Sequence, residues 1–155
     1  MTSLRANVGD RPLGWYCRYG SNINTRRLLV EEGGFLYESD AYNNELPYWV
    51  TVTGRPHLVA PYTLSVNDFT YGRGIFATGN DFYRYARDRF DRLYREGARQ
   101  PKMLSISLHM RISGHPGLAT GLERLLDDLL EHPDVWVCRR LDIARPWIAH
   151  HPLAR

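Results

Sequence analysis

The sequence is short of cysteine, lysine and long apolar runs, and each shortage removes a class of protein. Its two cysteines, Cys17 and Cys138, lie far apart without CxxC spacing, so neither a disulfide framework nor a thiolate metal knuckle is expected. Reduced thiols of this kind point to a reducing compartment, the cytoplasm. A cysteine in an apolar run is usually a small packing residue, which sets Cys17 aside as a nucleophile. No stretch approaches the roughly 18 consecutive apolar residues of a membrane span. The amino-terminal MTSLRANVGDRPLG also lacks the apolar centre of a signal peptide, so membrane insertion and secretion are not expected. Lys102 is the only lysine, and the net charge of +3 is slight. The arginines are diluted by acids, with Asp88 and Arg92, and Asp91 and Arg95, spaced i, i+4 for pairing on a helix. No basic run is interleaved with aromatics, so a nucleic-acid stripe is not expected either.

Several motifs are missing too. HExxH, HxxxH, GxGxxG and GxSxG do not occur, and His109 and His115 stand six apart across a glycine, not at the spacing of a helical metal pair. Metal binding by this chain alone is therefore not expected. His150 and His151 are adjacent, so their side chains diverge, and they read as surface residues.

What remains is an ordinary globular composition: 155 residues, 43% hydrophobic and 24% charged, enough for one domain with a real core. Short apolar runs alternate with helical patterns. Strands are expected at Gly14–Cys17, Phe35–Tyr37, His57–Thr63, Met103–Leu108 and Val135–Cys138, and a long polar and aromatic connector over Glu38–Pro56. Helical spacing marks Thr25–Glu32, Gly79–Gly97 and Leu118–Leu130, and Leu141–Ile148 begins a helix that Pro146 makes irregular. In the third helix, Leu118, Leu122, Leu125, Leu126, Leu129 and Leu130 are assigned to one packing face. Strands separated by helices predict an α/β fold of βα units. A closed (β/α) barrel takes roughly 250 residues, so a chain of this length forms part of a barrel more easily than a whole one.

Polar residues gather just beyond the expected strands: Arg18–Asn24, Asp40–Glu45, Asn67 with Asp68, and His109 with Arg111. Ligands of α/β folds bind at the carboxyl ends of strands, so these four places are the candidate site. Histidine titrates near neutrality and suits general acid–base work, and Asp40 or Asp68 could orient His109. A single loop polar residue more often caps a helix or binds its own backbone; four clusters at one end weigh against that reading.

The runs GWYCRYGSNINTRRLLVEEGGFLYESDAYNNELPYW, RPHLVAPYTLSVNDF, MLSISLHMRISGHPG and VWVCRRLDIARPW together resemble the carboxyl-terminal half of the polysaccharide deacetylase superfamily, and closely its allantoinase-like branch. The resemblance implies a partial distorted (β/α) barrel and hydrolysis of carbon–nitrogen bonds other than peptide bonds. It also implies that Leu108 and His109 match a late Leu-His motif whose histidine protonates the leaving nitrogen. Arg18 falls where the family steadies a catalytic aspartate, and Asp40 is matched to the carboxylate that orients the histidine. Tyr48 and Trp49 are then expected to shape the substrate pocket, with Asn67, Asp68 and Arg111 as further substrate contacts. The implied substrate is a small amide: a purine-derived cyclic ureide of allantoin type, or alternatively an acetylated chitooligosaccharide or polysaccharide. The early aspartate pair and HxxxH motif of the family have no counterpart here, so no cofactor is expected in this chain, zinc being reserved for a full-length deacetylase. On the same ground the isolated chain is expected to be an inactive truncated form. It would self-associate or pair with a missing amino-terminal half, since a half-barrel leaves strand edges open. A third reading is a non-catalytic interaction subunit.

Overall fold

A computed structural model describes residues 2–153. They fall into two compact units, one built from the segments up to Tyr62 and from Cys138 onward, the other from Thr63–Val137.

In the first unit, β1 (Gly14–Trp15), β2 (Tyr37–Glu38), β3 (Tyr48–Val52) and β4 (Arg55–Val59) form an open mixed sheet in the order β1-β2-β4-β3. β1, β2 and β4 run parallel, and β3 is antiparallel to β4. Helix α1 spans Thr2–Val8, α2 (Thr25–Glu32) crosses from β1 to β2, and α6 is Arg140–His150. Helix α2 has the bounds expected from its spacing and stops at Gly33, whose φ of 70° continues no helix. Helix α6 runs on through Pro146, which forfeits one helical hydrogen bond without breaking the element.

The α/β class read from the sequence holds, while the strands are shorter and differently placed. The supposed connector over Glu38–Pro56 contains all of β3 and the start of β4. Its missed signal is Thr53-Gly54: both residues have positive φ, 49° and 76°, and close a two-residue hairpin whose twist matches that of the flanking strands. The β-branched and aromatic run Tyr48–Val52 suits a pleated surface. Leu58, Val59 and Ala60 are fully buried, and α2 adds Leu29 and Val30. Glu38 is buried beside them with Arg26 donating to Oε1 at 2.5 Å. Burial raises the Glu38 pKa and the guanidinium pulls it back.

The second unit is helical. Asp68–Arg73 forms a 3-10 turn, followed by α3 (Gly79–Gly97), the single turn α4 (Met110–Ser113) and α5 (Pro116–Leu130). Thr78 and Asp81 cap α3 reciprocally: Thr78 Oγ1 accepts from the Asp81 N–H, and Asp81 Oδ2 accepts from the Thr78 N–H at 2.8 Å. Val66, Phe76, Phe82, Ala86, Phe90, Leu125 and Leu129 make the core.

Helix α5 buries Gly121, Leu125 and Leu129, while Leu126 and Leu130 of the expected apolar face are 40% and 70% exposed. The reason lies in the contact with α3. A Cβ built on Gly121 would stand 1.9 Å from the Gly79 carbonyl oxygen, so the helices cross where neither has a side chain, and the seam follows the i, i+4, i+8 row from that point. Ion pairing on α3 keeps the i, i+4 spacing but with other partners: Asp91 accepts from Arg87, and Arg92 donates to Glu96. Neither Met103–Leu108 nor Val135–Cys138 is a strand among the described residues. Only Ser107 pairs, in an isolated parallel bridge with Asn67, since an apolar run without a neighbouring strand gains no ladder. Among the described residues no helix is long and apolar enough to cross a membrane.

Two outcomes are expected. Gly121→Ala drives a methyl group into backbone and should lower stability by about 1–3 kcal/mol or more, read as a fall in the urea midpoint; an unchanged midpoint would mean that the crossing has slack. His57 is 5% exposed with no hydrogen-bond partner on Nε2, and burial, helped by the charge of Arg26, lowers its pKa. The unfolded chain then binds the proton more tightly than the folded one. His57 costs no stability above its ordinary pKa of about 6.5, and stability falls as the pH drops from there through the folded-state value. His57→Leu should flatten the dependence of the urea midpoint on pH below about 6.5; the same slope in parent and variant would contradict this.

Candidate active site

The bridge between Asn67 and Ser107 sets the geometry of the second unit's polar centre. Ser107 N–H donates to Val66 O at 2.9 Å and Asp68 N–H donates to Ser107 O at 3.1 Å, which brings residue 68 beside residue 109. Asp68 is fully buried. Its Oδ1 lies 2.7 Å from His109 Nδ1, and its Oδ2 accepts from the His109 backbone N–H at 2.6 Å and from the Ser113 hydroxyl at 2.6 Å. His109 has extended backbone (φ −116°, ψ 117°) and directly precedes α4, and the one turn of α4 carries Ser113 to the same side four residues on. The Phe69 ring lies 5.8 Å from the imidazole, centroid to centroid, and Asn67 Oδ1 fixes that segment by accepting from the Phe69 N–H at 2.8 Å.

The chemistry follows from donor and acceptor counts. An ionised carboxylate only accepts, so its pairing with the imidazole keeps the proton on Nδ1 and leaves Nε2 to take or give one. The His109 side chain is 33% exposed, whereas Asp68 is wholly enclosed. The unit thus pairs a partly exposed imidazole with a wholly enclosed carboxylate.

Some of the residues singled out in the sequence are in direct contact in the second unit, and others belong to the first unit. The carboxylate bonded to His109 is that of Asp68. Three protein donors already occupy both of its oxygens. Asp40, expected to orient the histidine, belongs to the first unit, where its Oδ1 accepts from the Cys17 N–H at 2.7 Å and its buried Oδ2 has no partner. Arg18 is exposed in a turn, with its guanidinium 4.7 Å over the Tyr19 ring. Tyr48 donates to Asn43 Oδ1 at 3.0 Å, and Trp49 Nε1–H donates to His151 O at 2.6 Å. Being successive residues of β3, these two side chains point to opposite faces of the sheet. Arg111 is exposed on α4. Both thiols are free, and burial raises the pKa of Cys138.

Three features escaped the sequence reading. Ser113 and Phe69 touch the Asp68–His109 pair; the signals for them were the i, i+4 spacing of Ser113 from His109 and the Asn67-Asp68-Phe69 turn. Beyond the ends of β1, β2 and β4, Tyr16, Tyr42 and Tyr62 cluster, with ring centroids 4.7 Å apart for Tyr16–Tyr62 and 5.9 Å for Tyr42–Tyr62. Burial first, and then the hydrogen bond with Tyr42, raise the Tyr16 pKa far above its ordinary value. Among the described residues no three His, Cys, Asp or Glu side chains gather into a group that could hold a metal ion.

No protein-family model matches the chain. It is 41% identical over 157 aligned residues to a candidate polysaccharide deacetylase of Schizosaccharomyces pombe, with 91% of this chain and 49% of the other aligned. Among solved structures, PuuE allantoinase is 50% identical with a TM-score of 0.91, over 97% of this chain and 51% of that one. A candidate polysaccharide deacetylase from Pseudomonas aeruginosa PAO1 is 50% identical with a TM-score of 0.89, again over 97% and 51%. The chain thus spans about half the length of the relatives it matches.

Replacing Asp68 tests the arrangement. Asp68→Ala strands the Ser113 hydroxyl and two donors of His109 and is expected to cost about 3–5 kcal/mol, whereas the near-isosteric Asp68→Asn should cost clearly less. Equal urea midpoints for the two variants would show that the carboxylate's acceptor role does not support the fold.

Proposed function

We propose that this chain, which belongs to the polysaccharide deacetylase family of amide hydrolases, supplies the proton donor of a reaction that cleaves a carbon–nitrogen bond in a small cyclic ureide of allantoin type. The observation that carries the reading is the enclosed Asp68 carboxylate bonded to Nδ1 of a partly exposed His109. Water adds to the carbonyl carbon, the carbon–nitrogen bond breaks, and the departing nitrogen takes a proton from His109 Nε2. Asp68 stabilises the imidazolium before the transfer and holds the ring in register during it. The group that removes the proton from the attacking water is assigned to no residue of this chain, and no step is routed through a metal. Arg18 steadies a catalytic aspartate of the whole enzyme in this reading, and Asn67 and Arg111 contact the substrate. The first unit's tyrosine cluster offers flat surfaces of the kind that suit a planar ring.

The likeness to PuuE allantoinase supports the ureide reading, which places the reaction in purine catabolism. The second reading, N-deacetylation of a chitooligosaccharide or polysaccharide, draws support from the deacetylase names of two further matches. Ring opening of allantoin by the polypeptide that carries the whole site, without acetate release from N-acetylated sugar oligomers, would select the first, and the reverse pattern the second. In either case His109→Ala should lower kcat by about 10²–10⁴, the usual worth of a general acid. A variant with the parent's kcat would remove His109 from the chemistry.

A further inference from the structure

We propose that Ser113 is a positioning residue for His109 that acts through Asp68, an inference that rests on the proton-transfer reading above. Rotation about χ2 of an aspartate is soft and two-fold, so a carboxylate keeps one oxygen on a given partner only if its other oxygen is anchored. Here Oδ2 has two donors, the His109 N–H and the Ser113 hydroxyl, and Oδ1 faces Nδ1. Two of these three contacts come from His109 itself. Ser113 is the one donor to the carboxylate, among the described residues, that does not belong to the residue being oriented. Without it the carboxylate is held by His109 alone, and carboxylate and ring can shift together. With it, the pair is referenced to the far end of α4.

The alternative, that Ser113 only completes a helical turn, fits the geometry poorly. A serine inside a helix ordinarily turns its hydroxyl to the carbonyl four residues back. For Ser113 that carbonyl is the one on His109, which already accepts from the backbone N–H groups of Ile112 at 2.8 Å and Ser113 at 3.0 Å. The Ser113 side chain donates instead to Asp68 from a site only 7% exposed, where water does not readily replace it.

The test is the state of the His109 imidazole, read by nitrogen and proton NMR on the full chain. The parent should show the Nδ1–H tautomer with a slowly exchanging ring proton. Ser113→Ala should speed exchange of that proton by about tenfold and lower the share of the Nδ1–H form, the scale expected for one lost charge-assisted hydrogen bond. Ser113→Thr, which keeps the hydroxyl, should restore both. If the alanine variant does not fold, Ser113→Cys, similar in size with a weak donor, should show the same loss. A parent-like imidazole in Ser113→Ala, or in Ser113→Cys where that stands in, together with a changed one in Asp68→Asn, would overturn the role of Ser113 and leave the Asp68–His109 pair standing. A parent without the Nδ1–H form, indifferent to Asp68→Asn, would overturn both.

Discussion

A single buried charge organises the second unit. Enclosing a carboxylate costs several kcal/mol even after the surroundings relax, and only well-placed donors offset that cost. Asp68 has three within 2.7 Å, supplied by a histidine ring, a backbone amide and a hydroxyl. Each comes from the segment His109–Ser113, so that segment cannot wander without exposing the charge to an unmatched interior. The isolated bridge between Asn67 and Ser107 and the turn of α4 are the framework that holds these donors in reach. The pattern is economical: an enclosed carboxylate determines how a partly exposed imidazole is presented.

The helices were largely legible in the sequence and the strands were not, for one physical reason. Helices α2 and α3 have the expected bounds because a period of 3.6 residues repeats over several turns, and Gly33 and the Thr78–Asp81 pair punctuate them. Strands of two residues carry no period at all, so β1 and β2 could be located only approximately. Apolar character alone misled at Met103–Leu108 and Val135–Cys138, because a strand is defined by its neighbour and not by its own residues. The β3–β4 hairpin was missed through Thr53, since a β-branched residue is an unusual choice for positive φ.

The site divides the same way. His109 was visible as a histidine at the end of an apolar run in a Leu-His context, and Asp68 was visible as a nearby acid without a settled role. Which of Asp40 and Asp68 meets the histidine depends on backbone pairing between residues 66–68 and 107, a contact across some forty positions that no local pattern encodes. Ser113 was hidden because a serine in RISG looks like any residue at the end of a turn. That Tyr48 and Trp49 are successive residues of a strand was not visible, because that stretch was read as loop.

The first unit is discontinuous along the chain, and the Trp49 indole reaches a carbonyl 102 residues away. On the ribosome the sheet strands emerge early, yet helix α6, which belongs with them, emerges only after every residue of Thr63–Val137. The intervening segment has a core of its own and can fold while the translation of Cys138 onward is still pending. For that interval the earlier segment has its sheet without α6, so the second unit's segment is complete in the nascent chain before the first unit's is.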